Sequence, residues 1–181
     1  MPRPIGYKVR EHSGVQYYIE DGAVQSVVPE TAHFGFSYWA LMIPPFKPED
    51  MLQLGCGAHT ISKLINKVWG DTDLTCDEGR DAFQFAKELR GDSRIFDYII
   101  VDVYNGGTPH PNVFEDDFVD DIAALSRGLV AINASETNAG KWQRYLRSFD
   151  NVLEKRLNNN KVTFLSRKGF MRQYFAILPE G

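Results

Sequence analysis

Residues 51–69 read MLQLGCGAHTISKLINKVW, and this stretch decides the fold. Residues 51–54 form a short apolar strand, Gly55-Cys56-Gly57 a tight turn, and residues 60–68 an amphipathic helix. Glycines at such a bend let the chain reverse sharply and let a ligand approach bare backbone at a helix N-terminus. A G-x-G pair is a weak signal in isolation. Its place after the first long apolar strand and directly before a helix points to a nucleotide-type ligand at Gly55 and Gly57.

Working outward toward the C-terminus, strands and helices alternate. Residues 73–76 read as a strand and 80–89 as a helix with Ala82, Phe83, Phe85, Ala86 and Leu89 on its apolar side. Residues 96–101 have the unbroken apolar character of a strand covered on both faces. A helix over 114–125, a strand over 129–133 and a helix over 141–157 follow. Two closing strands, 161–165 and 173–178, flank the turn at Lys168-Gly169 and are expected to pair as an antiparallel hairpin at the sheet edge. The alternation predicts an α/β fold, a doubly wound, mostly parallel, Rossmann-like sheet with right-handed crossovers.

Toward the N-terminus the pattern is different. Residues 7–10, 15–20 and 23–28 read as strands joined by Ser13-Gly14 and Asp21-Gly22, residue pairs that accept the positive φ of hairpin turns. A helix over 36–43 is stopped by Pro44-Pro45. The expected organisation is a small antiparallel β unit with a linker helix over 1–47, then the nucleotide-binding sheet over 48–181.

The 181 residues are 43% hydrophobic and 24% charged, the make-up of one globular domain with a continuous core, which excludes a disordered or fibrous chain. A formal net charge of -4 argues against a protein that grips nucleic-acid phosphates. No apolar run approaches the roughly 20 residues of a membrane span. Without an apolar leader in the opening residues, a reducing cytoplasm is the expected location. Cys56 and Cys76 lack C-x-x-C spacing and are expected to form neither a zinc site nor a disulfide, but to serve as two small buried side chains; no metal is expected.

In an open α/β sheet the ligand lies beyond the carboxyl ends of the strands. Asp77 and Glu78 stand there, 22 and 23 residues after Gly55, where a carboxylate accepts both ribose hydroxyls. The alternative is a solvated turn or a helix cap. Asp102 ends the strand over 96–101 and opens a glycine-containing loop with Tyr104, a place from which it orients or deprotonates a nucleophile, or caps the loop. Glu115, Asp116, Asp117, Asp120 and Asp121 gather near a helix start and read as structural. A lone His59 reads as a side chain hydrogen-bonded in place.

Taken together these segments resemble the spermidine synthase family, aminopropyltransferases on the S-adenosylmethionine methyltransferase fold. The resemblance rests on Asp21-Gly22-Ala23-Val24-Gln25-Ser26, on Leu54-Gly55-Cys56-Gly57, on the strand Phe96-Asp97-Tyr98-Ile99-Ile100-Val101-Asp102, on the segment over 111–118 and on the strand from Gly128 to Asn133. It implies S-adenosylmethionine or its decarboxylated form across Gly55, Gly57, Asp77 and Glu78, a polyamine acceptor near Gln25 and Tyr104, and Asp102 as the base that takes the acceptor's proton. It also implies a homodimer. The family's turn continues with an Asp where this chain has Ala58, its loop carries a second Asp where this chain has Asn105, and one strand-helix unit before Asp102 is missing. Aminopropyl transfer, methyl transfer to a small molecule, and a binding protein that kept the fold without the chemistry all remain open at this point.

Overall fold

The computed structural model describes residues 8–20, 23–28, 31, 38–105, 107–134, 139–157 and 160–167. Its N-terminal strands β1 (Lys8–His12), β2 (Val15–Glu20) and β3 (Ala23–Val27) pair antiparallel in chain order. Ser13 and Gly14 turn between the first two with φ of 52° and 78°, as a tight hairpin requires. The Asp21-Gly22 turn lies outside the described residues. Of the linker helix expected over 36–43, the described residues hold α1 (Tyr38–Leu41), one turn that ends ahead of Pro44.

The main sheet has six strands in the order β10-β11-β9-β6-β4-β5. Four of them, β5 (Asp73–Cys76), β4 (Asp50–Leu54), β6 (Phe96–Val101) and β9 (Ser126–Asn133), run parallel, and β11 (Asn160–Ser166) runs antiparallel to β9. The mostly parallel α/β sheet with its small antiparallel partner is the architecture the sequence predicts. Among the described residues β5 forms the sheet edge, consistent with the missing strand-helix unit.

Side-chain alternation along the central strands builds two cores. Leu52, Leu54, Ile99, Val101, Val130 and Ile132 face α3 (Ala82–Gly91), α4 (Asp116–Leu125) and α5 (Ala139–Ser148). The intervening Met51, Tyr98, Ile100, Leu129 and Ala131 face α1 and α2 (Thr60–Trp69). A strand covered on both faces needs apolar residues at successive positions, which is why β6 reads as a continuous hydrophobic run. Asp97 is the exception in that run: its carboxylate accepts the backbone N–H groups of Glu49 (2.8 Å) and Asp50 (3.2 Å) and fixes the start of β4.

The C-terminal third departs from expectation. The helix expected over 141–157 ends at Ser148, and residues after Asp150 form β10 (Asn151–Leu157), which pairs antiparallel with β11. The edge hairpin is therefore β10–β11; the strand expected over 173–178 lies outside the described residues. After β6, the short strands β7 (Tyr104–Asn105) and β8 (Thr108–Pro109) pair with each other, and a single 3-10 turn over Pro111–Phe114 leads into α4. No helix among the described residues is long and apolar enough to cross a membrane.

Candidate functional site

The carboxyl ends of β4, β5 and β6 lie side by side and bring Gly55, Asp77 and Asp102 together. Asp102 donates its backbone N–H to Leu54 O at 2.9 Å, so β6 runs against the very start of the glycine turn. A Cβ on Gly55 would stand 2.2 Å from the Asp102 carbonyl oxygen, and φ there is +81°. Gly55 is thus demanded by the crossing of two chains as well as by any ligand. Gly57 differs: it is exposed, φ is +50°, and a Cβ would meet nothing nearer than Ser26 Oγ at 3.8 Å. Beyond it His59, at φ 59°, leads into α2 without a side-chain cap, so the first N–H groups of the helix receive no side-chain acceptor from it.

Asp77 is buried and turned inward. Its carboxylate accepts the N–H of Gly55 at 3.1 Å and of Cys56 at 3.2 Å, tying β5 to the glycine turn. Burial pushes its carboxyl pKa up, and the two backbone donors pull it part of the way back. The helix-cap alternative for this residue falls away, because α3 is capped by Asp81, whose carboxylate accepts from Phe83 N (2.9 Å) and Gln84 N (2.8 Å). Glu78 stands exposed on the same turn at φ 36°.

Asp102 is half-buried and held from two sides. Its Oδ1 accepts from the side-chain amide of Asn133, the last residue of β9, at 2.8 Å, and its Oδ2 accepts from the Tyr38 hydroxyl at 3.1 Å. Burial raises the carboxyl to about 6, against the opposing pull of these two donors. Tyr38 itself is pushed well above its ordinary value, first by burial and then by the Asp102 charge, so its hydroxyl stays a donor at neutral pH. Sequence reading named Asp102 and Tyr104, which lies half-buried in β7, but missed Tyr38 and gave Asn133 only as a motif letter. The Gln25 side chain lies outside what is described.

The acidic run is structural, as the sequence suggests. Arg144 pairs with Glu115 at 3.3 Å and Asp116 at 2.9 Å, and Arg90 with the buried Asp121 at 2.8 Å.

The cysteines require a correction. Cys56 and Cys76 are joined as a disulfide, with Cα atoms 6.3 Å apart, a separation such a bond spans. The parallel register of β4 with β5, which sets Gln53 opposite Cys76, carries two cysteines twenty positions apart to one point. Cys56 Sγ also lies 2.7 Å from Asp77 Oδ1; a thiol there donates to the carboxylate, whereas a disulfide sulfur has no proton to give. His59 is a second correction, because its imidazole has no hydrogen-bond partner among the described residues and instead lies near the two sulfurs.

No protein-family model matches the chain, and no curated protein matches it. Solved structures do resemble it. A spermidine synthase from Thermotoga maritima is 13% identical with a TM-score of 0.60, over 93% of this chain and 72% of that one. Human methyltransferase-like protein 13, solved with SAH, is 14% identical with a TM-score of 0.51, over 81% of this chain and 89% of that one. A 16S rRNA N2 G1207 methyltransferase from T. thermophilus, solved with AdoMet and guanosine, is 15% identical with a TM-score of 0.54, over 93% and 52%. The fold is therefore the Rossmann-like one shared by spermidine synthases and S-adenosylmethionine-dependent methyltransferases.

Proposed function

We propose that the protein is a transferase that binds S-adenosylmethionine or its decarboxylated form and moves an aminopropyl or methyl group to an amine acceptor such as a polyamine. The observation that carries this reading is Asp102: a carboxylate raised to about 6, oriented by Tyr38 and Asn133, with its backbone pressed against the glycine turn. The turn fits an adenosyl ligand because Gly57 is exposed and bare of a side chain, with Ser26 its nearest neighbour at van der Waals distance, directly before the uncapped N-terminus of α2.

In this reading the backbone at Gly55 and Gly57 cradles the nucleoside. Asp77 fixes that turn from below, and the exposed Glu78 faces the ribose hydroxyls. When bound, the sulfonium supplies an electrophilic carbon and a thioether leaving group. Asp102 takes the proton that the acceptor nitrogen must lose before or as it forms its new bond to carbon, a task suited to a base whose pKa approaches the working pH. Tyr38 and Asn133 hold that carboxylate in one orientation, and Gln25 and Tyr104 contact the acceptor. Ala58 stands where the resembling family has an aspartate at the aminopropyl end of the ligand, and Asn105 where its loop carries a second aspartate, so recognition of the classical diamine is altered. We also propose a homodimer formed through the N-terminal sheet and a cytoplasmic location.

Calorimetric titration with each nucleotide, repeated on Gly57→Val, tests the binding half. Saturable heat with one of them, lost in the variant, is the expected result. Absence of heat with both at millimolar concentration removes the transferase reading and leaves a binding protein on an inherited fold.

A further inference from the structure

Cys56, His59 and Cys76 gather two sulfurs and an imidazole nitrogen with all donor atoms within 4.8 Å of one another. We propose that, when the disulfide is reduced, these three side chains bind a zinc-class divalent cation beside the glycine turn. Two thiolates and an imidazole are the donor set that selects such an ion over magnesium or calcium. In tetrahedral zinc sites thiolates at about 2.3 Å from the metal lie about 3.8 Å apart, which the 6.3 Å between the Cys56 and Cys76 Cα atoms leaves room for once the sulfurs separate.

Three observations support the site. First, Cys76 is held by the pairing of β5 with β4, while Cys56 and His59 sit on one turn that is held by the bonds of His59 N to Cys56 O and of Cys56 N to Asp77, so fixed backbone presents all three. Second, the His59 imidazole points at the sulfurs with no hydrogen-bond partner among the described residues. Third, the Asp77 carboxylate lies 2.7 Å from Cys56 Sγ and 3.8 Å from Cys76 Sγ. A reduced Cys56 thiol donates to that carboxylate, and a divalent cation that takes the place of the thiol protons offsets the negative charge gathered there. Because Asp77 is committed to the N–H groups of Gly55 and Cys56, the fourth metal position is left to water or to an outside donor. Cys56 is buried while His59 and Cys76 are half-buried, so the ion enters from the solvent side.

The redox step balances simply. Two equivalents of a thiol such as glutathione reduce the Cys56–Cys76 bond to two thiols and leave as one small disulfide. Metal entry then expels the two thiol protons.

The test is a cobalt(II) titration of the full chain after reduction and anaerobic removal of the reductant, with two free thiols confirmed beforehand. Saturable uptake of one ion per chain should give a near-ultraviolet thiolate-to-cobalt band and visible bands of a tetrahedral site, both erased by zinc. Cys76→Ser should abolish the bands. His59→Ala, which keeps both thiols, should weaken binding by more than about 100-fold, beyond what loss of a mere orienting partner brings. No uptake by the fully reduced protein, or equal affinity in folded His59→Ala, overturns the proposal. Nucleotide calorimetry is an independent measurement, so its failure leaves the metal result standing.

Discussion

The Asn133 amide nitrogen lies 2.8 Å from Asp102 Oδ1 and joins the ends of two neighbouring parallel strands, β9 and β6. Asn133 is buried, and its own Oδ1 has no partner among the described residues, so its role here is to donate to this carboxylate. Without that donor Asp102 keeps only the Tyr38 hydroxyl. Asn133→Ala should therefore raise the Asp102 pKa further above 6 and shift the rise of the rate-against-pH curve to higher pH. An unmoved curve would show that Asn133 is structural only.

Asp102 also leaves a signature in stability. Its folded value of about 6 lies above the ordinary carboxyl value of 3.8, so between these limits the native state holds a proton that the unfolded chain has released. This contribution to stability is fully present below about pH 4 and is lost as pH rises through about 6. Asp102→Asn removes the dependence. The variant should gain stability relative to the parent between pH 4 and 7, seen as a growing difference in urea midpoint, and turnover should fall by about 100-fold or more. Full turnover in Asp102→Asn would remove this residue from the chemistry.

Much of this was legible in the sequence, for definite reasons. Between residues 51 and 101 the periodicity is strong, and the strands over 73–76 and 96–101 were placed to the residue. Asp102 was readable because a strand end followed by a glycine loop marks a carboxyl edge. The failures share a cause, namely pairing that sequence does not display. Asn151–Leu157 alternates between half-buried and exposed, but its Val-Leu-Glu-Lys-Arg-Leu spacing also continues the period of α5, and only β11 decides for a strand. Tyr38 reaches Asp102 across 64 residues, and Cys56 meets Cys76 only because β4 and β5 are parallel neighbours.

The two glycines of the turn should respond differently. Gly55→Ala sets a methyl 2.2 Å from the Asp102 carbonyl in backbone at φ +81°, so the strands must part; a cost of about 3 kcal/mol or more is expected. Gly57→Ala makes only ordinary contact with Ser26, at 3.8 Å, and carries only the left-handed backbone penalty, about 1 kcal/mol. Paired denaturation curves check the contrast. Equal losses at both positions would mean that the approach of β6 to Gly55 is not what fixes the turn.

The N-terminal sheet is fastened to the main-sheet side of the molecule by Thr60, the first residue of α2. Its hydroxyl donates to Val27 O at 2.7 Å, accepts from Val27 N at 3.3 Å and contacts the Ser26 hydroxyl, all out of solvent. Thr60→Val keeps the shape and removes the hydroxyl, leaving the Val27 carbonyl unpaired, which costs about 1–3 kcal/mol. Ser26 is also the nearest neighbour of the space above Gly57, so a loosened β3 shifts one wall of the proposed nucleotide cradle. Thr60→Val should therefore lower the urea midpoint and weaken nucleotide affinity together, whereas Thr60→Ser, which keeps the hydroxyl, should leave affinity near the parent's. Loss of stability with affinity untouched would separate the N-terminal sheet from the cradle and confine the ligand to the α2 side of the turn.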